Sequence, residues 1–532
     1  MELLICQSGN NYHVFTGEYY NMTDKDITDF IVEIERKFPV DRWLIDDVHV
    51  WPLVRLTIGN FLLEKYYFHK GNSIRPTKEK NTSRLKQVYK TIKDVCSLYC
   101  FDYEHNDKLG YADVLMLTYN VSRNQIIPKS GNWYNVVSEP IEDILKLNGI
   151  TVKNIEYTHH SFDMKLPRSN DTILISNKLL ACKVKHFFKK KILRNYCSFE
   201  YKLEKYSILL EYLNKNNVSC EGLSITVLKD TIGLIKELSK YYLSIIKRTG
   251  VKWVIVPDWR TENSYALALA ANTCNIPVLE IQHGFYGSDS FTHSRWECIP
   301  IEGYEIMPTH YWCWTDASAT SINNSKNHGY AIEGFPQVEL FWHTKENSTI
   351  KLYEDIFKKY FPTNKKIILV SLQNIFPENA YPEWLIKIIR DTEEQYFWIL
   401  RKHISIEESG QDKLCEKLSH FENVECGDGA QLPLILILQH TCVNVTLSSS
   451  VVVEAMMEGV PSIVLDDGGA VLYKEQIKDG IVRVVKNPED FMSTLEEFVT
   501  KYSYKVDWDA KMNRISKLID ILQNDGREKG RK

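Results

Sequence analysis

The chain has 532 residues, 44% of them hydrophobic and 25% charged, which is long enough for two domains and ordinary for a globular protein. Its formal net charge of −4 excludes nucleic acid as a main partner, because a phosphate backbone requires an excess of lysine and arginine. No apolar run is long enough to cross a membrane and no secretion-signal pattern follows Met1, so we expect a cytoplasmic protein. The 12 cysteines contain no C-x-x-C pair, which predicts that no structural metal is bound.

A mostly helical extension is predicted over residues 1–105. The stretch Thr23–Phe38 has acids in its first turn and Arg36 and Lys37 in its last, as a capped helix should. The following stretch, "DVHVWPLVRLTIGNFLLEKYY", continues a helical pattern with Pro52 near its start. The polar stretch His69–Arg84 is predicted to be an exposed linker.

A first α/β domain is predicted over residues 106–336. Apolar runs such as "ADVLMLTYN", "ITVKNIEY", "VKWVIVPD" and "PVLEIQHG" alternate with helical patterns, which is typical of a right-handed parallel sheet. The run "HYWCWTDAS" predicts a further strand that ends at Asp316. A turn at Gly334–Pro336 marks the expected end of the domain.

A basic segment, Lys183 to Lys205, lies within this first domain and includes Phe187 and Phe188 among its lysines. One interpretation is peripheral contact with an anionic membrane surface, here the inner membrane face. The alternative is a solvated helix face whose apolar side lies in the core.

A second α/β domain is predicted over residues 337–500, and a C-terminal helix with a polar tail over residues 501–532. The pattern of strand and helix restarts at "KKIILVSLQN" and continues through "YFWILRKH" and "VPSIVLDDGG". The predicted fold class is therefore α/β, with two Rossmann-like domains that face each other across a cleft and a helical N-terminal extension.

The stretch "VNVTLSSSVVVEAMMEGVPSIVL" has the most specific local pattern, an apolar strand whose end is followed by three serines that open a helix. Free N–H groups and the positive dipole end of a helix bind phosphate, and serine hydroxyls add donors. The candidate phosphate-binding residues are Ser448, Ser449 and Ser450, and Glu454 is the candidate partner of a ribose. The alternatives are a plain N-cap for the serines and a surface acid near the helix start for Glu454.

A basic trio, Arg401, Lys402 and His403, follows the predicted strand Tyr396–Leu400. Such groups can neutralise or donate to the phosphates of a departing nucleotide. The alternative is a set of solvated side chains after a strand.

Three residues are candidates for chemistry in the first domain: Asp258, His283 and Glu262. Asp258 and His283 follow neighbouring predicted strands, and ligands of α/β proteins bind at the carboxyl ends of such strands. A carboxylate there can act as the general base of an inverting enzyme or as the nucleophile of a retaining one, and Asp258 is the first choice. The alternatives are a helix N-cap for Asp258 and a core histidine bonded to a backbone carbonyl for His283.

Four features occur along the chain in this order: "IQHG", "EGFPQVE", a strand followed by a basic-His pair, and "SSS…EA…EGVP". This order resembles that of bacterial GT-B glycosyltransferases of capsule and O-antigen synthesis. The resemblance covers about Tyr111–Asn487 and is greatest to enzymes with cytidine-activated donors, such as Kdo transferases and bacterial sialyltransferases. His403 precedes Ile404, whereas those families have proline at this place. The "DDG" at Asp466 resembles an acidic sialyltransferase motif but follows the serines, so we do not take it as the catalytic base.

The resemblance implies a glycosyltransferase of bacterial surface polysaccharide that transfers a sugar, Kdo or sialic-acid-like, from a CMP-linked donor to a glycan or lipid-linked glycan. It implies an acceptor-side first domain, a donor-binding second domain, and no cofactor beyond the nucleotide-sugar co-substrate. Two alternatives stay open: a nucleotide-sugar epimerase of the same fold, and a non-catalytic scaffold in a capsule assembly complex.

Overall fold

The computed structural model describes residues 24–69, 109–120, 123–126, 132–158, 166–167, 171–192, 200–284, 286–325, 330–333, 348–361, 364–373, 381–403, 410–502 and 508–523. The predicted linker after His69 and the predicted turn at Gly334–Pro336 lie outside these residues.

The first part of the chain contains two N-terminal helices and then alternating strands and helices. In chain order the elements are α1 (Asp24–Lys37), β1 (Leu44–Ile45), β2 (Val48–His49), α2 (Trp51–His69), β3 (Val114–Tyr119), β4 (Arg123–Ile126), β5 (Trp133–Asn135), α3 (Glu139–Leu147), β6 (Val152–Tyr157), β7 (Ile173–Leu174), α4 (Ser176–Ile192), β8 (Tyr201–Lys202), α5 (Tyr206–Lys215), α6 (Ile225–Thr249), β9 (Trp253–Val256), α7 (Glu262–Thr273), β10 (Val278–Ile281), β11 (His310–Cys313), α8 (Asp316–Asn323) and β12 (Tyr330–Glu333).

The second part repeats this alternation. Its elements are α9 (Ser348–Tyr360), β13 (Lys366–Ser371), α10 (Glu383–Asp391), β14 (Tyr396–Arg401), α11 (Gly410–Leu418), β15 (Val424–Glu425), α12 (Leu434–His440), β16 (Thr441–Thr446), α13 (Val451–Met457), β17 (Ser462–Val464), α14 (Asp467–Leu472), α15 (Lys474–Lys478), β18 (Val482–Val484), α16 (Pro488–Lys501) and α17 (Trp508–Gln523).

The chain divides into two compact units, and unit 1 comprises residues 1–122, 142–335 and 514–532. Its main sheet has seven parallel strands in the order β12-β11-β10-β9-β3-β6-β7. The first strand of this sheet in chain order, β3, lies in its interior. β6 and β7 follow on one side of β3, and β9 to β12 follow on the other side. The strand order therefore reverses between β3 and β9, and this switch point is where α/β proteins bind ligands.

Unit 2 comprises residues 123–141 and 336–513, and its main sheet has six parallel strands in the order β15-β14-β13-β16-β17-β18. Alternate residues of β13 enter two separate apolar cores: Ile368 and Val370 enter one, and Ile367 and Leu369 enter the other. This alternation shows that the sheet is covered on both faces, which explains the nearly continuous apolar sequence of its strands. The switch point of unit 2 lies between β13 and β16.

The N-terminal helices belong to the core of unit 1. Ile27 and Ile31 of α1 and Trp51 of α2 lie in the same buried cluster as Leu115 of β3 and Val254 of β9. A small antiparallel sheet, β2-β1-β8, joins this region to the residues before α5. The predicted fold class, two Rossmann-like α/β units with a helical N-terminal extension, is confirmed.

One predicted strand ends earlier than expected. β11 ends at Cys313, and Asp316 is instead the first residue of α8. The side chain of Thr315 accepts a hydrogen bond from the Ser318 backbone N–H and starts the helix at this point. Within the described part of the chain, no helix is both long and apolar enough to cross a membrane.

Candidate functional site

An ionic cluster lies at the carboxyl edge of the unit 1 sheet, next to its switch point. Asp258 follows β9, and its two carboxylate oxygens accept from Arg260, Oδ1 from Nε at 2.8 Å and Oδ2 from Nη2 at 3.0 Å. Oδ1 also accepts from the Arg260 backbone N–H at 2.9 Å. Burial alone would raise the pKa of the Asp258 carboxyl, but the Arg260 guanidinium outweighs it and holds that pKa well below its usual range. Asp258 is therefore a carboxylate at neutral pH.

His283 follows β10 and completes the cluster. Its Nε2 lies 3.0 Å from Nη2 of Arg260 and 3.6 Å from Oδ2 of Asp258, and its Nδ1 lies 3.4 Å from the Tyr286 hydroxyl. A guanidinium can only donate, so Nε2 carries a lone pair and Nδ1 carries the proton. Burial lowers the pKa of His283 more than the Asp258 charge raises it, which agrees with a neutral ring. The side chains of His283 and Asp258 remain 22% and 18% exposed, so a ligand can reach them.

The structure decides between the interpretations of these residues. The cap of α7 is Thr261, whose side chain accepts from the Ser264 backbone N–H, so the helix-cap alternative for Asp258 is wrong. Among the residues that the structure describes, the His283 ring bonds polar side chains rather than a backbone carbonyl. Glu262 is not drawn into the cluster, because its carboxylate accepts from Nζ of Lys183 at 2.8 Å.

Gln282 fixes the backbone beside His283. Its Oε1 accepts from the Trp314 backbone N–H at 2.7 Å, and its Nε2 donates to the Gly284 carbonyl at 2.7 Å. The first bond joins the end of β10 to the end of β11, and the second closes the turn after His283. The polar residues that end this buried strand therefore set the position of the imidazole.

Sequence reasoning missed Arg260, Tyr286 and Glu280, which bind the predicted pair or lie directly behind it. Glu280 had a signal, since an acid within the apolar strand "PVLEIQHG" is rare unless its carboxyl is paired. The sequence carries no local signal for Arg260 and Tyr286, because their contacts depend on which strands are neighbours in the sheet.

In unit 2 the predicted basic trio and the three serines lie at the carboxyl ends of β14 and β16, which both pair with β13. Ser371 of β13 pairs in register with Arg401 of β14 and with Thr446 of β16. Just beyond these positions, Oε1 of Gln373 accepts from the Ser448 backbone N–H at 2.8 Å, across the switch point. Gln373 is a polar residue after β13, the first strand of this unit's main sheet in chain order, and sequence reasoning did not select it.

The loop that contains Ser448, Ser449 and Ser450 is hydrogen-bonded to Tyr473, which is fully buried. Its hydroxyl lies 2.7 Å from the Ser449 carbonyl and 3.2 Å from the Ser448 carbonyl. Ser449 is buried, and its hydroxyl accepts from the Val451 backbone N–H at 3.4 Å. Ser450 is the N-cap of α13 but makes no capping bond with its side chain. The single-cap alternative therefore accounts for Ser449 alone.

The basic trio does not act as one group. Arg401 is buried, and its Nη1 donates to the carbonyls of Ala430 and Leu432 at 2.7 and 2.6 Å. Burial raises the pKa of Glu454 to about 7, against the opposing charge of Arg401. Lys402 is half-buried, and His403 lies at the surface.

Three lysines of the basic segment pair with acids of helix α6. Lys185 and Lys189 of α4 lie 2.5 and 2.8 Å from the Glu237 carboxylate, and Lys190 lies 2.7 Å from Asp230. Burial would raise the pKa of Glu237, but its lysine partners lower it to about 2. Contact of this segment with a membrane stays a prediction.

Asp466 caps a helix, as its side chain accepts from the Gly469 backbone N–H at 2.7 Å at the start of α14. Among the residues that the structure describes, no group of three or more His, Cys, Asp and Glu side chains could hold a metal ion.

No protein-family model matches the sequence, and no curated protein matches it. Solved structures do match. The chain is similar to the UDP-GlcNAc 2-epimerase of Methanocaldococcus jannaschii, with 14% identity over 77% of this chain and 99% of that chain and a TM-score of 0.47. The UDP-GlcNAc 2-epimerase of Neisseria meningitidis, bound to UDP-GlcNAc, matches with 14% identity over 77% and 99% of the two chains and a TM-score of 0.43. The wall teichoic acid polymerase TagF matches with 12% identity over 84% and 99% and a TM-score of 0.40.

Proposed function

We propose that the protein is a glycosyltransferase that moves a sugar from a nucleotide donor to a glycan acceptor in the synthesis of a bacterial surface polysaccharide. The observation that carries the proposal is the cluster of Asp258, Arg260 and His283 at the switch point of unit 1. It combines a neutral imidazole, a carboxylate and a guanidinium within hydrogen-bond reach at a partly exposed sheet edge. That edge is where a doubly wound sheet binds its ligands.

In this proposal His283 is the general base. An acceptor hydroxyl that replaces the Arg260 contact donates to the Nε2 lone pair, and Nε2 takes the proton as the hydroxyl oxygen bonds to the anomeric carbon. The bond from that carbon to the donor phosphate breaks, and its electron pair leaves on the phosphate. Asp258, 3.6 Å from Nε2, stabilises the imidazolium that results. Asp258 is less suited as the base, because Arg260 occupies both of its oxygens and lowers its basicity.

The switch-point edge of unit 2 is proposed to bind the nucleotide. The hydroxyls of Ser448 and Ser450 supply donors for phosphate, and Lys402 and His403 follow β14, on the other side of β13. Arg401 is buried beneath this edge, and Glu454 is proposed to bind the ribose of the nucleotide. The resemblance to cytidine-dependent families favours a CMP-linked donor, with Kdo or a sialic-acid-like sugar.

Nucleotide preference tests the function. We expect CMP to raise the melting temperature by more than CDP, UDP or GDP at equal concentration, since the ligand with the lower Kd for the folded state stabilises it more. Each nucleotide sugar that binds is then incubated with and without a glycan acceptor. Formation of an epimeric nucleotide sugar without acceptor would identify an epimerase, and no binding of any nucleotide would leave the scaffold alternative. A larger shift with UDP than with CMP would overturn the cytidine assignment alone.

Replacing Ser448 and Ser450 together by alanine is expected to weaken nucleotide binding by roughly tenfold or more, because hydrogen bonds to a charged phosphate are worth about 1.5–3 kcal/mol each. Ser449 is kept, because it is buried and its hydroxyl bonds the Val451 N–H. Calorimetry measures the affinity, and Ser419→Ala, at an exposed serine of the same unit, is the control. Equal affinity of the double variant and the control would remove the serines from the site.

A further inference from the structure

A second, fully buried cluster lies directly behind His283, centred on Glu280 of β10. The Glu280 side chain has 0% exposure. Its Oε1 accepts from the Trp259 backbone N–H and from the Tyr286 hydroxyl, both at 3.2 Å. Its Oε2 lies 3.1 Å from Nε2 of His293. The same Tyr286 hydroxyl lies 3.4 Å from Nδ1 of His283, so one hydroxyl joins the two clusters.

The hydrogen bonds around His293 locate a proton on Glu280. The indole Nε1–H of Trp259 lies 3.1 Å from Nε2 of His293, and an indole N–H can only donate. Nε2 therefore carries no hydrogen, and an ionised carboxylate oxygen 3.1 Å away would face its lone pair without a hydrogen between them. We infer that Oε2 carries the hydrogen and that Nε2 shares its single lone pair between this O–H and the Trp259 N–H. The other ring nitrogen, Nδ1, lies 2.7 Å from the Thr292 hydroxyl and donates to it. Glu280 is thus a neutral acid that donates through Oε2 and accepts through Oε1.

The electrostatic surroundings agree with this assignment. Burial, with the negative charge of Asp258 next in size, raises the pKa of Glu280 to about 8, and burial lowers the pKa of His293 well below its usual value. The titratable and charged groups that act on Glu280 or on its two partners are Asp258, Arg260, Tyr265, His283, Tyr286, His293, Tyr311 and Cys313.

We propose that Glu280 is a neutral acid that positions His283, and that it acts on His283 through the hydroxyl of Tyr286. Because Glu280 accepts the hydrogen of that hydroxyl, the phenol oxygen presents its lone pair to Nδ1 of His283. This keeps the proton of His283 on Nδ1 and the lone pair on Nε2, the atom at the exposed cluster. The inference rests on the proposed function for its catalytic consequence, but the protonation of Glu280 can be tested without any substrate.

The substrate-free test compares the melting temperatures of wild type and Glu280→Gln across pH. The glutamine amide can donate at one end and accept at the other, as the neutral acid does, but it does not titrate. Glu280 binds its proton more tightly in the folded chain than in the unfolded chain, with pKa values of about 8 and 4.5. Its stabilising contribution is therefore complete below pH 4.5 and is lost as the pH rises to about 8. We expect the wild-type melting temperature to fall by several degrees relative to Glu280→Gln over this range. Parallel curves would overturn the proposal.

The kinetic test uses Tyr286→Phe, which removes only the connecting hydroxyl. We expect kcat to fall about tenfold or more with KM for the donor unchanged, because nothing then holds the His283 proton on Nδ1 once an acceptor hydroxyl replaces the Arg260 contact at Nε2. Glu280→Ala is expected to lower kcat similarly, and Glu280→Gln to recover most of that loss. Wild-type kcat in Tyr286→Phe, or no recovery by glutamine, would overturn the positioning role. If the wild type transfers no sugar, the proposed function fails, whereas the melting curves still decide whether Glu280 is protonated.

Discussion

His283→Gln is expected to lower turnover by about two to four orders of magnitude while leaving nucleotide affinity unchanged, since it removes a general base and no donor-binding group. Glutamine can still accept from Arg260, so the ionic cluster keeps a partner at this position. The measurement is kcat with donor and acceptor, with nucleotide affinity and melting temperature determined for the same protein. His420→Gln, at an exposed histidine of unit 2, is the matched control.

Asp258→Asn separates the two possible bases. If His283 is the base, this substitution weakens the stabilisation of the imidazolium and loosens Arg260, so a smaller loss, about tenfold to a hundredfold, is expected. If Asp258 is the base or the nucleophile, as the sequence favoured, the order of the two losses is reversed. Near wild-type turnover in His283→Gln together with an inactive Asp258→Asn would therefore reassign the chemistry to Asp258.

The architecture was predictable because parallel sheets covered on both faces need continuous apolar strands. Runs such as "VKWVIVPD" and "KKIILVSLQN" carry this pattern, and the structure has β9 and β13 within them. The strand order was not predictable in the same way, since no local sequence pattern indicates that β3 lies between β9 and β6. The position of the switch points, and with it the site, needed the structure.

The site was predictable only in part, for the same reason. Asp258 and His283 stand out because each is a polar residue after a buried strand. Their partner Arg260 and the hydroxyl of Tyr286 depend on the folded arrangement of two loops. Gln373 and Ser448 are 75 residues apart in the chain and meet only because β13 and β16 are neighbours. Glu262 was selected for its position near Asp258, but the structure pairs it with Lys183 of another helix.

The N-terminal extension has a structural role that its sequence does not reveal. Arg55 of α2 is completely buried, and it donates to the Glu35 carboxylate of α1, to the Phe291 carbonyl at 2.8 Å and to the Ser294 carbonyl at 3.0 Å. Its guanidinium also lies 4.2 Å from the centre of the Trp296 ring. Arg55 thus joins both N-terminal helices to the segment 286–298, which contains Tyr286 and His293.

Glu35 shares this role from the other side of the ion pair. Its Oε1 accepts from Trp51 Nε1 at 2.8 Å, and its Oε2 accepts from the Glu297 backbone N–H at 2.6 Å. Because the carboxylate is fully buried, it depends on Arg55 for its counter-charge. A buried carboxylate that loses its partner costs much more than an exposed one, since water cannot replace the missing charge.

Arg55→Leu is therefore expected to destabilise unit 1 by about 3–5 kcal/mol, because it leaves the Glu35 charge and two carbonyl groups without their donor. A melting temperature lower by roughly 5–10 °C would follow. The matched control is Arg36→Leu, since Arg36 also binds the segment after Trp296, through Glu297 at 2.5 Å, but its side chain is 65% exposed. No measurable loss is expected there, because an exposed pair contributes little. Adding Glu35→Leu to Arg55→Leu should recover part of the loss by removing the unpaired charge. Equal melting temperatures of the two arginine variants would show that the buried pair does not hold this segment.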